Sequence, residues 1–528
     1  MKKIVLNLII IVLMGSFQSC ENDINLAPEG FVPYAEMYNT KDQINLALNG
    51  IYNALGSQGM YGGNLFIFTA MGNDESWFRG STSSNGTVGV FFYNYNSSDY
   101  YVTTLWNSCY IGIDRTNSLL AAMETSPADS VVKVSAIAQA KFIRACIYFN
   151  LVDNFGGVPL RLKPAESFAE SSIARSTVQE VYNQILKDLT EAEAILPVIT
   201  DLGSTGTGRP SKSAAQALLA KVCLTMAGQP LNDATKYQAA KKWASKVMDS
   251  KLHSLNPDFK KVFINQCQDK YDPKECIWEI EFTINPTGAT TANFSLMGYN
   301  NGISCSDIDT GYVSQKIGPT KKLWDTYNDF NDKRRDWSIA PYVFKTTTTV
   351  PAITTRTYYT STQIWDRYPG KWRREYETTK PKVKFQTGIN VPVIRYADVL
   401  LMFAEAENEL NGITDSAFMA VNLVRTRAGA YTFSSTNITS PEQFRSMIRD
   451  ERMRELCFEG VRTHDLKRWG ILIPTMKALA NDISINAPTS YKIIPAVAGN
   501  NISEKDVVFA IPQSEMTNNR LMIQNVGF

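Results

Sequence analysis

Few side chains in this sequence are equipped for chemistry. The 528 residues include two histidines, His253 and His464, so imidazole acid–base or metal chemistry has little to draw on. His464 follows a charged helix end and has no metal-ligand partners nearby in sequence. Glu405 and Glu409 stand four apart on one predicted helix, and Glu451 and Glu455 on another. Paired carboxylates about 5–9.5 Å apart can run glycoside hydrolysis. The second of these helices also carries Arg449, Arg452 and Arg454, and the pattern predicts ion pairs between packed helices. The run Gly203-Ser-Thr-Gly-Thr-Gly208 has the glycines of a phosphate-binding loop. A helix precedes it where a strand is needed, and Arg209-Pro210 replaces the required Lys-Ser/Thr, so it reads as a flexible linker. No G-x-S-x-G elbow, H-E-x-x-H or EF-hand loop is present, and no C-x-x-C pair suggests zinc. No metal, cofactor or catalytic residue is expected.

Composition points the same way. The formal charge is +2, with no basic excess to neutralise nucleic-acid phosphates. Hydrophobic residues at 44% and charged residues at 20% describe a globular chain with ample core. Aromatic residues are plentiful (25 Phe, 24 Tyr, 9 Trp). Cys146, Cys223 and Cys457 fall in helix patterns and read as core residues, whereas Cys267 and Cys276 are close enough in sequence for a disulfide in an oxidising compartment.

Amphipathic helices must position whatever site exists. Thr40-Lys41-Asp42-Gln43 has a capping-box pattern, and Ile44, Leu48, Ile51 and Leu55 follow at helical spacing. Similar periodicity predicts helices over 138–153, 178–196, 212–227, 235–250 (capped by Asp233), 396–410 and 415–428. Ser440-Pro441 starts another, with proline at its first position. Neighbouring helices joined by short turns are the unit of tetratricopeptide-like solenoids. The expected fold is therefore mainly α, with helix pairs as scaffold and large loop and small β-hairpin insertions at about 56–104 and 256–392. Binding residues usually sit on loops that a rigid scaffold holds.

The N-terminus carries an address. Lys2 and Lys3 precede an 11-residue apolar run, Ile4 to Met14, well short of the ~20 residues that span a bilayer. Residues 1–19 read as a signal peptide. Ser19-Cys20 resembles a bacterial lipoprotein signal, with Cys20 as the lipid attachment residue, although Phe17 and Gln18 depart from the commonest lipobox. Glu21-Asn22-Asp23 resembles the signal that sends lipoproteins of Bacteroides-like bacteria to the outer face of the outer membrane.

Longer motifs recur in order: Ala140 to Phe149 running on through Asn154-Phe-Gly-Gly-Val-Pro-Leu160, then Gly208-Arg209 and Ala217 to Val222. Ile394 to Met402, Arg425-Thr-Arg-Ala-Gly429, Arg449 to Arg452, Phe458 to Arg462, Asp465 to Gly470 and Gln524 to Phe528 follow. This series resembles the SusD/RagB family of outer-membrane nutrient-binding lipoproteins and spans essentially the whole mature chain, 20–528, as one domain. The resemblance implies a binding protein without catalysis, anchored to the outer membrane and facing the cell exterior. It also implies a SusC-like TonB-dependent transporter as partner and an oligosaccharide, or less often a peptide, as cargo. A surface-anchored glycoside hydrolase and a pure adaptor are the competing readings. Gly156-Gly157 permits a tight turn, and Arg462, Asp465 and Arg468 tie helix ends, so these motif residues read as structural.

In that family ligands are held by the loops. Sugars present apolar faces to aromatic rings and hydroxyl rims to polar groups. The expected site is a stacking platform of Trp77, Tyr95 and Tyr299 with Asp74 and Arg79 as polar clamps, and Tyr312 lies close by in sequence. Asp129-Ser130-Val131 and Asp415-Ser416-Ala417 resemble O-glycosylation sites used by these bacteria.

Overall fold

A computed structural model describes residues 37–63, 65, 71–80, 89–164, 170, 172–203, 208–284 and 293–528. The signal peptide, Cys20, the acidic residues after it and positions 204–207 of the glycine run lie outside the described residues.

Helices make the frame. They are α1 (Lys41–Leu55), α2 (Tyr100–Thr125), α3 (Ser130–Phe155), α4 (Val178–Ile195), α5 (Lys212–Ala227), α6 (Lys236–Asp249), α7 (Phe259–Cys267), α8 (Lys321–Thr326) and α9 (Arg335–Ser338). After the second insertion come α10 (Tyr396–Asn411), α11 (Asp415–Ala428), α12 (Pro441–Leu456), α13 (Arg462–Arg468), α14 (Leu472–Asn486), α15 (Ile494–Asn501) and α16 (Gln513–Asn518). Among the described residues three antiparallel strand pairs complete it: β1 (Ser76–Phe78) with β3 (Ile317–Pro319), β2 (Cys276–Ile280) with β6 (Val391–Arg395), and β4 (Tyr342–Thr346) with β5 (Thr354–Tyr358). This is the mainly helical scaffold with small hairpin insertions that the periodicity predicted.

Local sequence explains the helix ends. Thr40 and Gln43 form the expected capping box on α1, and Thr177 pairs with Glu180 on α4. Ser440 caps α12 with Pro441 at its first turn. One expectation shifts: Thr235, not Asp233, precedes α6, and the Asp233 carboxylate accepts from the Thr235 N–H at 3.2 Å. Gly156 ends α3 at φ +73°, and a Cβ on Gly157 would lie 2.4 Å from the Ser176 carbonyl oxygen, so both glycines are required.

The helices stack in chain order from α1 to α6, each on the next, and α6 then packs directly on α10. The 256–392 insertion therefore leaves the stack and returns to it without interrupting it. Its ends are joined by the β2–β6 pair, where Ile280 faces Val391. One hydrophobic core runs along the stack from Tyr38 to Met522, and a second gathers around α14 and α15.

Buried ion pairs tie the later helices together. Arg452 donates to Asp398 on α10 at 2.9 Å and to Asp465 on α13 at 2.7 Å. Arg468 holds Glu405, with Nη2 2.7 Å from Oε2. Glu451 receives Arg334, Arg425 and Arg454, and Glu455 receives Arg334, Arg395 and Arg427. The guanidinium groups hold both carboxyls down at about 2 against the upward push of burial. The paired glutamates are thus the inter-helix ties that the arginine-rich pattern predicted.

Candidate functional site

The first insertion turns inward at Asn73. Its side-chain oxygen accepts the N–H groups of Glu75 and Ser76 at 3.0 and 3.1 Å, a local turn that aims the next two carboxyls into the protein. Asp74 is fully buried and accepts Arg462 Nε and Nη2 at 2.7 and 2.8 Å, with Lys322 Nζ at 2.7 Å. Burial pushes its pKa up, but the two cations outweigh this and hold it at about 2. The expectation of Asp74 as a clamp open to ligand is corrected here: its oxygens are committed to Arg462 and Lys322.

Trp77 lies on β1 opposite Gly318 and is 6% exposed. A Cβ on Gly318 would fall 2.6 Å from the indole, so the glycine makes room for the ring. The indole N–H donates to the Pro319 carbonyl at 3.2 Å. Tyr491 meets the ring edge-on at 6.0 Å and stacks on Trp365 at 5.8 Å. Arg79 comes together with Trp77, its guanidinium 5.1 Å from that ring and 4.4 Å from Tyr368. It donates to the carbonyls of Trp365 and Arg367. Trp77 therefore belongs to the second core, and its faces are covered rather than presented.

Tyr95 sits elsewhere, against Phe509 at 6.0 Å and Phe528 at 5.3 Å near the C-terminus. The five expected residues thus fall into separate neighbourhoods, with Trp77 and Arg79 the pair that meets.

Tyr299 forms a partly open aromatic group in the insertion. It stacks on Tyr312 at 6.2 Å with 21° between the planes, and Phe385 meets the two edge-on at 5.7 and 6.2 Å. Phe385 is 53% exposed and the tyrosines are half-buried. Lys384 places its ammonium 4.6 Å from the Tyr312 ring centre and 5.1 Å from that of Phe385.

A buried arginine builds this group. Arg374 donates to the carbonyls of Tyr312 and Lys384 through Nη1, and of Val383 and Gln386 through Nη2. Its Nε bonds Glu377 at 3.0 Å. One guanidinium therefore fastens the Tyr312 loop to the Phe385 loop. Gly311, at φ +126°, lets the backbone pass it, since a Cβ there would lie 2.4 Å from Arg374 Cβ. Sequence reasoning named Tyr299 and Tyr312 but not their neighbours Phe385, Lys384 and Arg374, which stand more than sixty residues downstream of Tyr312 with no local signal.

Burial raises the carboxyls of Glu75 and Glu279 to about 8 and about 7, and both are sealed from solvent. Cys267 and Cys276 are free, buried thiols, and Cys276 donates to Glu279 at 3.1 Å. Among the described residues no cluster of His, Cys, Asp and Glu is arranged to hold a metal. Asp129 caps α3 with its carboxylate, and Ser416 bonds Glu407, which gives both Asp-Ser pairs local structural work. No helix among the described residues is long and apolar enough to cross a membrane.

Residues 274–528 match the SusD family, and residues 21–224 match a family described as starch-binding, associating with the outer membrane. The chain belongs to the SusD/RagB family. It is 26% identical to a SusD-like protein of Formosa agariphila across 100% of this chain and 99% of that one. It is 24% identical to the starch-binding protein SusD of Bacteroides thetaiotaomicron, covering 80% of this chain and 78% of the other. The crystal structure of a SusD homologue from Bacteroides thetaiotaomicron superposes with a TM-score of 0.86 at 27% identity, over 95% of this chain and all of that one.

Proposed function

We propose that this SusD/RagB member is a cell-surface lipoprotein that captures oligosaccharides and delivers them to a SusC-like TonB-dependent outer-membrane transporter. Residues 20–528 act as one binding unit, held to the outer membrane through Cys20. The observation that carries the reading is the open three-ring group of Tyr299, Tyr312 and Phe385, fixed in place by Arg374. Rigid ring faces beside polar loop groups suit the apolar faces and hydroxyl rims of sugars. The relatives named for starch binding support a carbohydrate ligand. Capture without catalysis fits the carboxylate pairs, whose oxygens are taken up by arginines inside the helix stack.

The test is a glycan array with the purified protein, followed by calorimetry on any glycan bound. Tyr299→Ala and Phe385→Ala are each expected to weaken binding by about tenfold, the value of roughly 1.4 kcal/mol of lost stacking. If neither changes the affinity, the platform is wrong. Release of reducing ends from a polysaccharide by the purified protein would sink the binding-only reading.

A further inference from the structure

This inference rests on the platform reading and concerns the charge of the ligand. Many buried cations of the protein are matched: Arg334, Arg395, Arg452 and Arg462 each lie within 2.9 Å of a carboxylate oxygen. Arg373 and Lys382 bond carbonyls and a hydroxyl instead, and one strip of the insertion gathers four more cations without a carboxylate contact. The segment from Tyr312 to Gly318 leads from the Tyr299 group to Trp77, a reach of at most about 22 Å. Along it stand Lys384, Lys316, Arg79 and Arg367, none with a carboxylate in ion-pair range among the described residues.

Each is held by something other than an acid. Lys384 lies over Tyr312 and Phe385. Lys316 is half-buried, and burial lowers its pKa with no neighbouring charge to offset it. The Lys316 carbonyl accepts the Arg79 N–H at 2.8 Å, while the side chain of Arg79 bonds the Trp365 and Arg367 carbonyls and meets the Tyr491 hydroxyl. Tyr368, under Arg79, reaches Gln315 of the same segment at 3.4 Å. Arg367 is buried with Nε and Nη1 lacking acceptors, and its guanidinium lies 4.5 Å from the Trp324 ring that Arg335 also approaches, at 4.7 Å. Two like charges on one indole repel each other. Two acids stand nearby: Asp336 pairs with Arg335 at 3.1 Å and also offsets part of the charge of Arg367, and Asp366 accepts the Tyr491 hydroxyl.

Uncompensated cations interleaved with aromatic rings are costly for the free protein and favourable once an anion arrives. We infer that the ligand is an anionic oligosaccharide, bearing carboxylate or sulfate groups, laid from the Tyr299 platform along the 312–318 segment. Lys384 and Lys316 contact its charges, and Arg79 and Arg367 set the positive field behind them.

Calorimetry on the purified full-length protein tests this with three probes of matched length: an oligogalacturonate, a sulfated galactan oligosaccharide and a neutral galacto-oligosaccharide. At least one charged probe is expected to bind more tightly than the neutral one, and the better of the two identifies carboxylate or sulfate. Binding should weaken with added salt. The double variant Lys316→Gln/Lys384→Gln should weaken the charged probe about tenfold more than the neutral one, as expected for two lost charge contacts. Neutral binding equal to charged, no charged probe bound, or a double variant with unchanged preference would each overturn the inference. Tyr299→Ala separates the two readings. If it weakens binding while the lysine variant leaves charge preference intact, the platform stands and the anionic ligand falls. If it leaves every probe unaffected, the platform itself fails.

Discussion

Glu75 offers a sharp stability test. Its carboxyl is fully buried; Oε1 accepts the Phe458 N–H at 2.9 Å and Oε2 has no partner. Burial dominates and raises its pKa from the ordinary 4.5 to about 8, with Asp74 adding to the rise and the Phe458 N–H, Arg462 and Lys371 opposing it. The folded protein therefore holds a proton that the unfolded chain releases near its ordinary value. Stability from this group is present in acid and is lost as pH climbs from about 4.5 to about 8, with no further change above. At 1.36 kcal/mol per pKa unit the full swing is at most about 5 kcal/mol, and water entry on ionisation brings the expected loss to about 2 kcal/mol. Glu75→Gln keeps the acceptor for Phe458 and cannot ionise. Guanidinium unfolding of both proteins from pH 5 to pH 9 should show the variant gaining on the parent by about 2 kcal/mol across that range. Asp74 and Arg462 are common to both proteins, so the difference isolates Glu75. A stability difference that does not change with pH would refute the assignment.

Three more outcomes follow from the same contacts. Arg374→Lys removes most of the carbonyl contacts that join the Tyr312 and Phe385 loops, so glycan affinity should fall about tenfold; unchanged calorimetric affinity would show that the loops hold themselves. Gly318→Ala drives a methyl into the Trp77 indole and should cost about 1–3 kcal/mol in chemical denaturation, whereas a neutral result would mean that β1 and β3 can part cheaply. Glu455→Gln leaves Arg334, Arg395 and Arg427 short of a buried negative charge, and a loss of about 3–5 kcal/mol is expected in the same assay. A loss below about 1 kcal/mol would show the network to be redundant.

The helix frame was readable because its signals are local. A cap such as Thr40 or Ser440 and a stripe of apolar residues declare a helix within a few positions. The long helix 100–125 escaped notice because a tyrosine-rich run opens it and Gly112 interrupts its pattern. That glycine packs where a Cβ would strike Ile147, a cause lying in another helix. The candidate ring group was legible in part for the same reason. Tyr299 and Tyr312 are near neighbours in the chain, but Phe385 and Arg374 join them only through folding. Trp77 is the residue type of a sugar platform, yet Tyr491, hundreds of residues away, meets its ring edge-on and Arg79 lies over it. Asp74 looked like a free clamp until Arg462 closed on it.

The direct packing of α6 on α10 separates two kinds of change that mutation can bring. Because the stack closes without the second insertion, and the β2–β6 clasp brings its ends together, lengthening that insertion costs only the slow logarithmic growth of loop closure. The frame and the recognition surface can then diverge at different rates. Between Ile280 and Val391 the outer loops are free to lengthen, while Arg334 and Lys322 keep the inner face of the segment tied to Glu451, Glu455 and Asp74.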